Sequence, residues 1–103
     1  MGCIEELKPE TLLQRISFKE AREFIEKNSD EYYYFQPGFQ LFGEHLVGVP
    51  PLAVGIKEGY VVFPYTKPCH GTFVLRYKDE REAERVRKLG KEEVLKSIKK
   101  VRR

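Results

Sequence analysis

Cys69 and His70 are the only adjacent thiol and imidazole in the chain. They sit within Phe63 to Tyr77, FPYTKPCHGTFVLRY, between two apolar, aromatic-rich runs. A thiol beside an imidazole, or beside a basic neighbour such as Lys67, is the arrangement that creates a reactive thiolate. No third residue to orient the imidazole can be named from the sequence. With Cys3 and His45 the same pair supplies four nitrogen and sulfur ligands, the number a structural zinc site uses. There is no C-x-x-C, however, and neighbours in an extended chain point to opposite faces, so both could reach one ion only from a tight turn. The plainer reading is preferred: Pro64, Pro68 and Gly71 shape a turn, Cys69 is a small buried filler and His70 is partly exposed.

Three further sets of residues are candidates. Asp30, Glu31 and Glu44, with Glu26 and Glu58, offer oxygen ligands to Ca2+ or Mg2+. They lack the ordered spacing of an EF-hand loop, so a solvated charged surface is the default. Tyr32 to Phe35, Phe39 and Phe42 cannot all face one core if they alternate along strands. Tyr33 and Phe39, with Tyr65, Lys67 and His70 near the turn, are therefore the expected partner surface. At the carboxyl end Lys96, Lys99, Lys100, Arg102 and Arg103 could contact phosphates, with sheet aromatics stacking bases. No RNP-like motif, GXXG or helix-turn-helix signature supports that nucleic-acid reading. There is also no G-x-x-x-x-G-K loop, which argues against nucleotide hydrolysis, and the sequence indicates no cofactor.

The elements that must position these residues read as α+β. Thr11 to Ile16 is expected to be a strand. Ser17-Phe18-Lys19-Glu20 has the spacing of a capping box, and a helix over Phe18 to Lys27 carries Phe18, Ala21, Phe24 and Ile25 on one stripe. Strands are expected at Tyr32–Phe35, Phe39–Phe42, His45–Val49, Leu52–Lys57, Tyr60–Phe63 and Gly71–Tyr77, with Pro37-Gly38 and Glu58-Gly59 as turns. Pro50-Pro51 interrupts the run and admits a cis bond. Asp79, with Glu82 three residues on, caps a second helix that Gly90 ends, and a third follows over Lys91 to Val101. The expected packing is a mostly antiparallel sheet of five to six strands with the helices on one face, a two-layer α/β sandwich.

At 103 residues the chain has the length of one domain, with residues 79–103 as its basic helical end. Residues 79–103 hold ten basic and six acidic groups, against nine and ten in residues 1–78. Charged residues make up 34%, above the usual ~25%, which leans towards a thermophile. MGCIEELK lacks the form of a signal peptide, and no window approaches the ~18 apolar residues of a membrane span. Glu6 stands where a myristoylation motif wants Ser or Thr. A cytoplasmic protein with free thiols is expected. A Cys3–Cys69 disulfide is the alternative if the source is hyperthermophilic.

CIEEL, LLQRISFKEAREFIEKN, GVPPLAVGI and FPYTKPCHGTFVLR, which together cover most of residues 3–77, carry a resemblance. The chain resembles a small archaeal family of uncharacterised proteins found mainly in methanogens. The resemblance implies a two-layer α/β sandwich and a role associated with methanogenesis. It brings no catalytic residues with it. The leading expectation is a non-enzymatic accessory protein that acts through contacts with another protein; an exposed edge strand also admits a homodimer. A small thiol- or metal-dependent protein using Cys69 and His70 is the alternative, ahead of RNA binding and a weak cation site.

Overall fold

The computed structural model describes residues 3–36, 38–46, 52–67 and 69–101, with residues 3, 5 and 93–101 described by their backbone. Its elements run α1 (Cys3–Leu7), β1 (Glu10–Ile16), α2 (Phe18–Asn28), β2 (Glu31–Phe35), β3 (Gln40–Leu41), β4 (Glu44–His45), β5 (Leu52–Lys57), β6 (Tyr60–Lys67), β7 (Gly71–Lys78) and α3 (Glu80–Val101). Five strands form one antiparallel sheet in the order β1-β7-β6-β5-β2, and β3 and β4 form a separate hairpin. This is an α+β fold.

The local signals act as their chemistry requires. The amide of Glu20 donates to Ser17 Oγ at 3.1 Å and the amide of Ser17 to Glu20 Oε1 at 3.0 Å, so the capping box opens α2. Asp79 Oδ1 accepts the amide of Glu82 at 3.0 Å and opens α3. Glu58 and Gly59 both have positive φ, +53° and +82°, the two-residue hairpin geometry that matches strand twist.

The layering differs from expectation, because the helices cover both faces of the sheet. On one side Ala21 and Ile25 of α2 pack on Ala53, Val62 and Val74. On the other, Ala83 and Val86 of α3 pack with Val54, Ile56, Val61 and Phe63. Every residue from Leu52 to Ile56 is buried, as a strand covered on both sides must be. The continuous apolar run LAVGI is the sequence trace of that third layer.

Four element boundaries also differ. Strand β6 continues through the buried Pro64 to Lys67, so Pro64 does not end it. A proline is tolerated there because the ladder to β5 stops at Val62, and Pro64 has no N–H to give it. The strands expected at Phe39–Phe42 and His45–Val49 shrink to a two-pair hairpin, and residues 47–51 lie outside the described ones. Gly90 does not end a helix; α3 passes through it as one element. The helix α1 was not foreseen, and its Ile4 is buried in the larger core.

Candidate functional site

The β6–β7 hairpin fixes the geometry at Cys69 and His70. Lys67 and Gly71 pair across it, and the amide of His70 donates to the Lys67 carbonyl at 3.1 Å. Cys69 sits in the left-handed region at φ +67°, unusual for a residue with a Cβ. Its thiol is free and exposed at the hairpin tip, as is the imidazole of His70. Cys69 is therefore not a buried filler, since a side chain at the outer corner of a two-stranded turn has nothing above it. The free thiol also removes the Cys3–Cys69 disulfide.

Among the described residues no group of three or more His, Cys, Asp and Glu is placed to hold an ion. His45 lies in the β3–β4 hairpin, its Nδ1 3.0 Å from the Gly38 carbonyl and its Nε2 3.3 Å from Gln40. Asp30 begins the link into β2, where its amide bonds the Ile56 carbonyl, and Glu44 stands across from Leu41 in β4. Glu31 is committed to protein partners. Arg87 donates to both of its oxygens at 2.9–3.1 Å, and the Tyr33 hydroxyl donates to Oε1 at 2.6 Å. The Arg87 guanidinium, then the Tyr33 hydroxyl, hold the Glu31 carboxyl below its ordinary value.

The five residues expected to form one partner surface fall in three environments. Tyr33 and Phe39 pack against the core on the α3 face, Tyr33 under Gly90 and Phe39 stacked on Phe35 with centroids 3.9 Å apart. Tyr65 and Lys67 line a cavity at the far end of that face. His70 stands at the hairpin tip. The basic residues Lys96, Lys99 and Lys100 lie on the last turns of α3, and Arg102 and Arg103 lie outside the described residues.

The aromatic surface that does reach solvent is formed by Tyr32 and Tyr34, each 42% exposed. They occupy β2, an end strand of the sheet, with their rings edge to face at 5.7 Å. The Tyr34 hydroxyl donates to the Glu26 carboxylate on α2, and this hydrogen bond, followed by burial, pushes its pKa up to about 12. In the run EYYYF either parity satisfies an aromatic strand. The signal that selects Tyr33 and Phe35 for the inside is the longer α3, with Gly90 opposite Tyr33. Lys8, on the rim of the cavity at φ +55°, also escaped the sequence reading.

One family model and one curated protein match the chain. The family model described as a domain of unknown function (DUF1894) matches residues 1–87, ending within α3. An uncharacterized protein of Methanocaldococcus jannaschii is 41% identical over 106 residues, which span 96% of this chain and 98% of that protein. No solved structure matches the chain.

Proposed function

The chain belongs to the DUF1894 family, and from that premise we propose that it is a non-enzymatic accessory protein of methanogen metabolism that holds another protein along β2. One observation carries the reading: the large hydrophobic side chains exposed among the described residues, Tyr32 and Tyr34, stand together on a terminal strand of the sheet. An edge strand offers unpaired backbone groups to an incoming extended segment, and two neighbouring rings give its alternate side chains a flat apolar seat. The bond from Tyr34 to Glu26 and the edge-to-face contact hold both rings before binding, so little side-chain entropy is lost on association.

The test begins with a partner captured from native methanogen extract, purified, and titrated against the wild type and the Tyr32→Ser/Tyr34→Ser variant. The proposal expects the double variant to keep its far-UV spectrum and lose binding, and the β2 amides of the wild type to gain exchange protection in the complex. A folded double variant that binds equally well sinks it.

A second reading rests on Cys69, a free, exposed thiol held at positive φ. It requires native Cys69 to alkylate with iodoacetamide at neutral pH faster than free cysteine does. An ordinary rate removes it.

A further inference from the structure

Helix α3 moves outward across the sheet as it runs. Ala83 and Val86 pack with residues of β5 and β6, Arg87 bonds Glu31 at the start of β2, and Gly90 lies over Tyr33. Strand β2 ends the sheet on that side, yet α3 continues from Lys91 to Val101. At 1.5 Å per residue this distal half is about 16 Å long, against about 4.8 Å between neighbouring strands. Its apolar periodicity does not stop at the sheet. At ~100° per residue Val94, Ile98 and Val101 fall within about 60° of Ala83, on the stripe to which Val86 and Gly90 belong. Building on the reading of β2 given above, we propose that the protein held there is gripped by a flexible acidic tail, which adds to the sheet as a further strand under the distal half of α3.

The two ends of the sheet differ in a way that selects β2. At the other end β1 has two register shifts, and Arg15 within it has a positive φ of +58°. Bulged edges of this kind resist pairing with a new strand. Strand β2 pairs with β5 through successive residues without a shift, and its EYYYF has no lysine or proline to blunt the outer edge. A strand added there presents alternate side chains to the two faces. One set meets α3, where the stripe calls for apolar residues; the other lies beside Tyr32 and Tyr34.

The occupant follows from charge and space. Residues 80–90 of α3 hold four basic and three acidic groups, whereas residues 91–103 hold six and two. A helix end with that excess favours acidic residues around the bound strand. A second copy joined β2 to β2, about a two-fold axis normal to the sheet, would bring its own α3 to the same face above the same joint. A tail without a cover of its own fits, because α3 supplies the cover.

The test selects short random peptides displayed on phage against the full chain, then titrates the selected ones, synthesised singly, by fluorescence anisotropy. They are expected to carry apolar residues at alternate positions with Asp or Glu around them. N-methylation placed one residue at a time should weaken binding by at least about tenfold at every second position, as pairing along one edge requires. Val94→Gln/Ile98→Gln keeps helix-forming residues while removing the stripe, and should weaken binding about tenfold with an unchanged far-UV spectrum. Lys96→Glu/Lys99→Glu should weaken it similarly. The proposal is overturned if no peptide is selected above background, if the selected ones are basic or lack alternation, or if N-methyl losses have no period of two. It is also overturned by β2 amides that gain protection with protein concentration alone, as in a dimer, or by a folded Val94→Gln/Ile98→Gln chain that binds as well as wild type. In that last case, loss of the same peptides by Tyr32→Ser/Tyr34→Ser leaves the reading of β2 standing. Binding unchanged in both variants removes that reading as well.

Discussion

The ring of Tyr33 fills the space that any side chain at position 90 would need: a Cβ on Gly90 would lie 2.3 Å from Tyr33 Cγ. Gly90 is a groove in α3, cut for an aromatic residue of β2. An exposed glycine in a helix interior normally gains about 0.5–1 kcal/mol on replacement by alanine. Here Gly90→Ala is expected to destabilise by about 1–3 kcal/mol, because helix and strand must separate to admit the methyl group. Urea denaturation measures it, and in Tyr33→Ala the same Gly90→Ala change should cost clearly less. Additive effects of the two substitutions would show that they do not share this contact.

Ser29 caps the other helix–strand junction. Its Oγ is buried, has no hydrogen-bond partner among the described residues, and lies 2.0 Å from where a Cβ on Gly55 would be. Ser29→Ala removes an unsatisfied hydroxyl and keeps the Cβ, so it should be neutral or stabilise by up to about 1 kcal/mol. A loss above about 1 kcal/mol in urea melts would mean that the hydroxyl is bonded in solution.

The Glu31–Arg87 pair makes stability depend on acid. The folded carboxyl titrates below its ordinary 4.5, so its contribution is complete above that value and is lost as pH falls through the lower folded value. Both side chains are partly exposed, at 37% and 29%, so the pair should contribute about 0.5–1 kcal/mol at neutral pH. Glu31→Gln should therefore melt below wild type at pH 7, with the gap closing as pH falls below the carboxyl's lowered folded value. A gap of constant size across that range would place the effect elsewhere.

Glu58 is the first residue of a tight hairpin turn and has positive φ, a position that favours asparagine. Glu58→Asn, followed by the native Gly59, should stabilise by about 0.5–1 kcal/mol and raise the melting temperature by a few degrees. A lower melting temperature would show that the Glu58 carboxylate has a role the turn geometry does not reveal.

Local chemistry was the legible part of the sequence. Ser17 with Glu20, Asp79 with Glu82, and Glu58-Gly59 each act within four residues, and each predicts its own turn or cap. What failed depended on partners far along the chain. Gly90 has the composition of a helix stop, and only Tyr33, 57 positions earlier, makes it a packing residue within a helix. Tyr32 and Tyr33 are chemically the same, so their run cannot reveal which of them faces α3. LAVGI was read as a strand, but with all the helices expected on one face its burial on both sides was not foreseen. Tyr65 and Lys67 were expected to share a surface with Tyr33 and Phe39, but they line a cavity with Lys8, which only the joint between α1 and β1 brings there.

The order of the strands also sets an order in time. The three strands β5, β6 and β7 are consecutive and pair with their neighbours through short turns. Strand β1 instead pairs with the last strand, and its Glu10 binds Arg76 across 66 residues of chain. A ribosome adds about 5–20 residues per second, so β1 waits several seconds after its synthesis for the strand it needs. Two register shifts then interrupt its ladder. Of the strands of this sheet, the first to leave the ribosome is thus among the last to be locked in place. Until then Leu12, Leu13 and Ile16 are open to chaperones, and to other nascent copies of the same chain.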